Sequence, residues 1–169
     1  AQHIIIRTPW VFGRHGHNFV KTVMRLAGER EQLRMIDDQR SCPTSARDLA
    51  KAILKIATML DSGDAFGTYH FANAGPVSWY EFARVIVDLA IDTAAVRPEV
   101  MAITTNYYAH AAIRPRYSVL DCKRIGQQFS IVPPSWRPAL AEVVEQVKSR
   151  VSLWRVLFAQ SATVSGSTP

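Results

Sequence analysis

The order of strand-like and helix-like segments constrains the fold of this chain more than any other feature. A β-branched run at 3–7 (HIIIR) predicts a buried strand, which ends at Thr8-Pro9 because proline donates no hydrogen bond to a neighbouring strand. Strand-like segments at 33–36 and 67–72 then alternate with helix-like segments. This alternation is typical of α/β proteins. Because the strands are short, we expect a small mixed α/β domain and not a complete doubly wound sheet.

Three helices are predicted from the residues that would cap them. Asn18 precedes apolar residues at helical spacing, as an N-cap residue does. Ser45 and Asp48, like Ser78 and Glu81, stand three positions apart, as in a capping box. In that motif the two side chains satisfy free backbone N–H groups, so these pairs should mark helix starts.

The C-terminal part of the chain predicts one more helix and a tail. A proline pair precedes Ser135, which caps a helix that we expect to end near Arg150. The segment 161–169 is rich in Ser and Thr and predicts disorder. We therefore assign a domain to 1–150 and a tail to 151–169, disordered from about residue 161.

Charge and hydropathy exclude several protein classes. The chain has 169 residues with 48% hydrophobic and 20% charged side chains, which argues against global disorder. Its longest strongly apolar stretch, 85–91, contains Asp88 and is far shorter than the about 20 residues of a membrane-spanning helix. The net charge is +6, but the basic residues are scattered and form no basic tail. We therefore expect neither membrane nor nucleic-acid partners.

Cysteine spacing and the absence of common catalytic motifs narrow the function further. Cys42 and Cys122 form no Cys-x-x-Cys pair, which favours a reducing cytoplasm. The sequence has no Gly-x-Gly-x-x-Gly, no P-loop and no Tyr-x-x-x-Lys pair. His15 and His17 have no nearby carboxylate or cysteine to complete a metal site. Residue patterns alone therefore predict an α/β domain with an anion site.

Several segments together carry a more specific pattern. They are RTPWVFG at 7–13 with GHNF at 16–19, DQRSCPT at 38–44, GTYHF at 67–71, RP at 114–115 with SVLD at 118–121, and PSWRPAL at 134–140. In this order they resemble the dTDP-4-dehydrorhamnose reductases, which are extended short-chain dehydrogenases/reductases. The resemblance covers about residues 3–148.

The resemblance implies only part of a reductase. Members of that family are about twice as long, and their first half is a Rossmann domain that holds the nicotinamide cofactor and the catalytic Tyr-x-x-x-Lys. This chain resembles the second half: the last elements of a Rossmann fold whose N-terminal part is absent, with a small mixed α/β substrate-binding domain. The resemblance implies an NADPH-dependent reductase that converts dTDP-4-dehydro-L-rhamnose to dTDP-L-rhamnose for cell-surface polysaccharides. We expect this chain alone to be inactive and to bind no cofactor.

The resemblance also implies five substrate-binding residues, each with a purely structural alternative. Trp10 would pack against the apolar face of the deoxysugar, or else belong to the core. Asn18 and Phe19 begin a helix whose N-terminus suits a diphosphate, although Asn18 would serve equally as a plain cap. Gln39 would recognise thymine through its amide, or else support a turn. Arg114 would bind the diphosphate, or else lie on the surface as an unengaged arginine.

The chain also departs from the family pattern. Two prolines and one arginine of the family are missing from 108–115, and Tyr117 replaces an asparagine, while Arg116 adds a nearby charge. These departures leave a second hypothesis: a non-catalytic relative that acts as a regulatory binding subunit, like the beta subunit of methionine adenosyltransferase. For the full-length enzyme the resemblance implies NADPH or NADH, with Mg²⁺ and a homodimer left open.

Overall fold

The computed structural model describes residues 2–59, 65–91, 97–107 and 114–162, and their side chains as far as residue 149. Within these ranges the chain is a mixed α/β structure, which confirms the predicted fold class. None of the helices in these ranges is both long enough and apolar enough to cross a membrane.

The described chain contains eight short strands, five α-helices and short 3₁₀ segments. The strands are β1 (Ile4–Arg7), β2 (Val11–Phe12), β3 (Gln32–Ile36), β4 (Arg40–Ser41), β5 (Thr44–Ser45), β6 (Gly67–His70), β7 (Val77–Ser78) and β8 (Glu99–Ile103). The helices are α1 (Phe19–Glu29), α2 (Ala46–Ala57), α3 (Trp79–Ala90), α4 (Lys123–Phe129) and α5 (Trp136–Ala162), and one 3₁₀ segment is Thr105–Tyr107.

The strands pair two by two and form no larger sheet among the described residues. β1 pairs with β6 in parallel, with Ile4 opposite Gly67, and β3 pairs with β8 in parallel, with Gln32 opposite Glu99. The two-residue strands β2 and β5 are also parallel, whereas β4 and β7 are antiparallel. Parallel strands need a long connection between them, and that connection is usually a helix, so the parallel pairs fit the predicted alternation of strands and helices.

Two groups of buried side chains form the interior. The α1–α3–α5 cluster lies between those helices and β3, and its large members are Phe12, Val20, Val23, Leu33, Phe82, Ile86, Trp136 and Leu140. The β1–β6 cluster lies beneath that strand pair, α2 and α4, and its members include Ala52, Ile56, Tyr69, Phe71, Ile125 and Phe129. β2 and β5 connect the two clusters, because Phe12 of the first pairs with Ser45, which caps α2 of the second.

The three predicted N-caps are confirmed, and one of the two predicted capping boxes is complete. Asn18 Oδ1 accepts the N–H three residues on at 3.3 Å, and Ser45 Oγ accepts that of Asp48 at 3.3 Å. Asp48 does not complete a box, because the Ser45 N–H donates to Asn73 Oδ1 instead. Ser78 and Glu81 form a complete capping box: Ser78 Oγ accepts from the Glu81 N–H, and the Glu81 carboxylate accepts from the Ser78 N–H. These three helices therefore begin where local side-chain chemistry satisfies their first N–H groups.

The end predicted for the last helix is wrong. α5 continues past Arg150 to Ala162, so it includes the first residues of the segment predicted to be disordered. The physical reason is that neither glycine nor proline occurs between Ala139 and Ser165, so nothing in the sequence interrupts the helix there. The rest of that prediction falls on 163–169, outside the described residues, and the domain division at residue 150 stays a prediction.

Two strand predictions also need correction. The sequence of 118–120 (SVL) predicts a short strand, but the segment forms none, and only an isolated bridge between Arg40 and Tyr117 lies beside it. The first strand is half-exposed rather than buried: Ile5 is 47% exposed. Ile4 and Ile6 pack on the β1–β6 cluster, whereas Ile5 points to the opposite face, so only one face of β1 packs against the core.

Candidate functional site

The segment that follows β1 has an unusual backbone. Trp10 has a φ of +42°, a left-handed conformation that a bulky side chain rarely adopts. Its carbonyl accepts a hydrogen bond from the Thr44 N–H at 3.1 Å, which ties the segment to β5. Two residues earlier, Thr8 Oγ1 is the only fully buried side-chain polar atom without a hydrogen-bond partner in the part of the chain that the structure describes. Backbone strain and an unpaired hydroxyl together mark this segment as a candidate site.

Three half-buried aromatic rings meet beside this segment, and we call them the aromatic platform: Trp10, Phe19 and Trp79. The indole of Trp10 stacks on that of Trp79 with the ring centroids 3.5 Å apart and the planes inclined by 18°. The ring of Phe19 lies 4.5 Å from Trp79. The structure thus brings two predicted site residues together through Trp79, a residue that the sequence analysis missed.

Asn18 lies at the start of α1, next to the platform, and its side chain is engaged at both ends. Its Nδ2 donates to the carbonyl of Gly13 at 2.7 Å, while its Oδ1 caps the helix. Lys21 folds back over the same turn and donates to the carbonyl of Gly16 at 2.9 Å. Asn18 therefore builds the turn, and a contact between this helix end and a diphosphate stays a prediction.

Gln39 lies in the interior, with 4% of its surface exposed. Its Nε2 donates to Thr105 Oγ1 at 3.0 Å, and the Thr105 hydroxyl in turn donates to Asp38 Oδ1 at 2.7 Å. The hydroxyl bond from Thr105 is the largest cause that lowers the pKa of Asp38, and the backbone N–H of Thr105 and the charge of Arg116 act in the same direction. The amide nitrogen of Gln39 thus has a partner within the chain, and its predicted contact with thymine remains untested.

Arg114 is exposed, and no hydrogen bond or ion pair joins it to another residue that the structure describes. The neighbouring Arg116 is held more firmly, because its carbonyl accepts from the Arg40 N–H at 2.7 Å. The preceding segment, 108–113, lies outside the described residues. Among the described residues the Arg114 guanidinium thus has no partner, which suits its predicted role in diphosphate binding, and the role itself stays a prediction.

The start of α3 supports both the aromatic platform and the loop that contains Gln39. Ser78 Oγ donates to Asp37 Oδ1 at 2.5 Å, and Arg40 forms an ion pair with Glu81 at 2.8 Å. Trp79 lies between these two anchors on the first turn of the helix. The predicted residues from both regions thus share one rigid support.

A groove lies elsewhere on the described chain. It has a volume of about 900 Å³ and runs between the turn before α1, the start of α2 and α5; of the five predicted residues only Asn18 lines it. A second cavity of about 510 Å³ is lined by Phe19 together with Arg34, Met35 and Tyr107. Arg34 donates a hydrogen bond to the Tyr107 hydroxyl and lies over its ring. Phe19 of the platform therefore borders a cavity that is also lined by the Arg34 cation and the Tyr107 ring.

The described residues do not fit a whole dinucleotide. β1 is followed by Thr8-Pro9, and β3 by Asp37-Asp38, so neither leads into a glycine-rich turn. β2 leads through Gly13 and Gly16 into α1, but these glycines do not have the Gly-x-Gly-x-x-Gly spacing that admits a pyrophosphate. No group of three or more His, Cys, Asp or Glu in the described ranges could hold a metal ion.

Burial raises the pKa of the Cys42 thiol and is the largest cause of the same shift at Cys122. Both thiols are therefore neutral near pH 7.

Comparisons with known proteins identify the family that this chain resembles. Residues 1–149 match the model of the RmlD substrate binding domain. The chain is 42% identical over 144 residues to a dTDP-4-dehydrorhamnose reductase of Aggregatibacter actinomycetemcomitans, covering 83% of this chain and 49% of that protein. It is 38% identical over 145 residues to the spore coat polysaccharide biosynthesis protein SpsK of Bacillus subtilis, covering 86% and 48%. The chain thus spans about half the length of the curated relatives it matches.

Solved structures show the same half. A dTDP-4-dehydrorhamnose reductase from Clostridium acetobutylicum superposes with a TM-score of 0.74 at 33% identity, covering 86% of this chain and 49% of that one. One from Bacillus anthracis, in complex with NADP, superposes with a TM-score of 0.70 at 34% identity, covering 83% and 47%. These matches confirm the predicted fold class and the resemblance on which the site residues depend. The chain belongs to the RmlD substrate binding domain family.

Proposed function

We propose that this chain is the sugar-nucleotide-binding half of an NADPH-dependent reductase that converts dTDP-4-dehydro-L-rhamnose to dTDP-L-rhamnose. The observation that carries the proposal is the half-buried indole of Trp10, held in a left-handed backbone directly after a parallel strand. Ligands of open α/β sheets bind beyond the carboxyl ends of such strands. The names of the relatives, dTDP-4-dehydrorhamnose reductases among them, supply the substrate class.

In this proposal the five residues bind and orient the substrate. Trp10 packs against the C–H face of the deoxysugar, and the α1 start at Asn18 and Phe19 faces the diphosphate with its free N–H groups. Arg114 adds a charge-assisted contact to the same phosphates. Gln39 recognises thymine; its Nε2 would exchange its bond to Thr105 for one to the base.

None of these residues transfers a hydride or a proton. The proposal assigns the nicotinamide cofactor and the Tyr-x-x-x-Lys pair to a first half like that of the family proteins, because the described residues do not fit a dinucleotide. The chain alone should therefore oxidise no NADPH when given dTDP-4-dehydrorhamnose. An assay of the purified chain against a protein-free background measures this directly.

A paired experiment tests the substrate roles in the reductase that contains both halves. Trp10→Ala should lower kcat/KM at least about tenfold and leave dTDP affinity nearly unchanged, because the indole contacts the sugar alone. Arg114→Ala should weaken both dTDP and dTDP-sugar about tenfold or more, because a charge-assisted phosphate contact contributes about 1.5–3 kcal/mol. Arg25→Ala is the matched control, since Arg25 is an exposed arginine paired with Glu29 on α1.

The outcomes separate function from packing. If Trp10 only fills the core, Trp10→Ala will lower the thermal midpoint steeply and damage every binding activity together. If Arg114→Ala leaves dTDP affinity at the level of Arg25→Ala, the diphosphate contact belongs to another residue, and Arg116 is the next candidate. Calorimetric titration, thermal unfolding and kcat/KM measured on one preparation of each protein decide between these outcomes.

A further inference from the structure

We infer that Trp79 is a positioning residue, which holds the indole of Trp10 in the orientation that meets the sugar ring; the inference rests on the proposed function. Neither the motif patterns nor the names of the relatives assign Trp79 a role. The geometry that points to it is the indole–indole stack, with centroids 3.5 Å apart and planes inclined by 18°.

The backbone of Trp10 needs outside support. A left-handed φ of +42° places the Cβ of a bulky residue against its own backbone, so the conformation persists only where the surroundings hold it. One support is the hydrogen bond from the Thr44 N–H to the Trp10 carbonyl, which fixes the main chain. That bond leaves the side-chain torsions of Trp10 free. The stack on Trp79 fixes the plane of the ring.

Trp79 is suited to this role because it is itself held from several sides. It is the first residue of α3, and the capping box of Ser78 and Glu81 fixes that turn. The ring of Phe19 lies 4.5 Å from its indole in a tilted contact. The Arg40–Glu81 ion pair and the Ser78–Asp37 hydrogen bond attach the same turn to the loop after β3. Trp10 therefore rests on a ring whose backbone is fixed by α3 and which also contacts the ring of Phe19.

The stack leaves part of the Trp10 side chain exposed. It covers one face of the indole, and in the part of the chain that the structure describes no other aromatic ring lies against Trp10, which also packs on the α1–α3–α5 cluster. Trp10 and Trp79 are both half-buried, so neither ring is enclosed as a core tryptophan is. By contrast Trp136 is 1% exposed. A hexose on the exposed part of Trp10 would have its tilt set by the ring beneath, and small errors in orientation cost large factors in rate.

The experiment uses Trp79→Leu and Trp79→Phe in the reductase with both halves, and compares dTDP affinity, dTDP-rhamnose affinity and kcat/KM. Trp79→Leu should lower kcat/KM about tenfold to a hundredfold and leave dTDP affinity within about twofold. Trp79→Phe, which keeps a flat ring under Trp10, should recover most of the loss. Tyr80→Leu is the matched control: it removes the next aromatic residue of α3, which contacts Arg84 and not the platform.

Circular dichroism of the chain itself adds a readout that simple destabilisation does not give. Two stacked indoles couple their electronic transitions and produce paired bands of opposite sign in the far ultraviolet. These bands should disappear in both Trp79 variants and persist in Tyr80→Leu. If they disappear in Trp79→Leu while its turnover and sugar affinity match those of the unmodified enzyme, the stack exists but Trp79 positions nothing, and the inference is overturned.

The remaining outcomes are equally decisive. If both Trp79 variants lose thermal midpoint, dTDP binding and turnover together, Trp79 is a core residue and the inference is wrong. If the unmodified enzyme binds dTDP but gains nothing from the attached sugar, the proposed function fails and the inference fails with it. If the unmodified enzyme discriminates the sugar and only Trp79→Leu loses that discrimination, both stand.

Discussion

The two buried clusters of this chain differ in how completely they are covered. The α1–α3–α5 cluster is enclosed by three helices and a strand pair. The β1–β6 cluster borders several exposed apolar side chains: Ile5 is 47% exposed, Ile53 46% and Leu54 66%. Parallel strands normally lie in sheets that are covered on both faces. The first cluster therefore has the properties of a complete core, and the second those of the margin of a larger layer.

This difference separates two kinds of role within one chain. The aromatic platform rests on the enclosed cluster, since the ring of Phe19 stacks on Phe82 at 5.8 Å. Trp10 nevertheless follows β1, which belongs to the open cluster. The site thus lies where a rigid core meets an incompletely covered sheet edge. In the family proteins the Rossmann half is the layer that we expect to cover this edge.

The largest expected effect comes from truncating one buried aromatic ring in each cluster. Phe82→Ala should destabilise the chain by about 3–5 kcal/mol, because Phe82 is 1% exposed and contacts three aromatic rings, Phe12, Phe19 and Trp136. Phe129→Ala, equally buried in the β1–β6 cluster, should cost about 2–3 kcal/mol, because an open neighbourhood collapses more easily around the missing ring. Urea denaturation measures both values. Equal costs would mean that the second cluster is as well enclosed as the first.

Much of this architecture follows from local sequence. The caps at Asn18, Ser45 and Ser78 are correctly predicted because each involves groups within three residues of one another. The two-residue strands β2 and β5 were not predictable in this way, since each exists only through the other, across some thirty positions of chain. Local patterns cannot report such pairs.

The candidate site likewise depends on contacts between distant residues, which local sequence patterns do not report. The family resemblance indicated Trp10 and Phe19, but the contact between them passes through Trp79, which is distant from both in sequence. One signal was available: Trp79 directly follows the cap residue of a strong capping box, where the structure holds a side chain in a fixed place. The buried link from Gln39 through Thr105 to Asp38 likewise joins residues more than sixty positions apart.

A smaller effect is expected from acid, which should remove the stability that Asp38 contributes. Because bonds from Thr105 lower the folded-state pKa of Asp38, its contribution to stability is complete above the ordinary value of 3.8 and is lost as the pH falls through the lowered pKa. Asp38→Asn should therefore be less stable than the unmodified chain at neutral pH, and the gap should close as the pH falls below about 4. Thermal midpoints measured at both pH values test this.

A matched carboxylate serves as the control for that measurement. Asp121 is exposed, its Oδ2 lies 3.9 Å from Lys123 Nζ, and its Oδ1 accepts the Lys123 N–H at 2.9 Å. An asparagine can keep the second contact and the first is a weak surface ion pair, so Asp121→Asn should change the midpoint little at either pH. A gap for Asp38→Asn that stays constant with pH would show that the loss comes from the altered hydrogen bonds and not from the charge of Asp38. The acid sensitivity would then have to arise elsewhere in the chain.

The smallest effect is expected at the open edge itself. Ile5→Thr should change stability by less than about 0.5 kcal/mol, because the side chain is half-exposed, and should reduce self-association of the chain by making the free strand edge more polar. Ile6→Thr is the control, since the neighbouring residue points to the other face and packs on the β1–β6 cluster. Sedimentation velocity and urea denaturation measure the two effects. Equal stability losses at both positions would show that both faces of β1 are packed.

The left-handed backbone at Trp10 also has an evolutionary consequence. Tryptophan has a single codon, UGG, and no single-base change converts it to a codon for phenylalanine, tyrosine or histidine. Glycine is reachable in one step and relieves the backbone, but it removes the ring; every other accessible residue keeps the unfavourable φ and removes the ring as well. Lineages that lose this indole should therefore regain an aromatic ring here only through intermediates that lack the sugar contact proposed for Trp10.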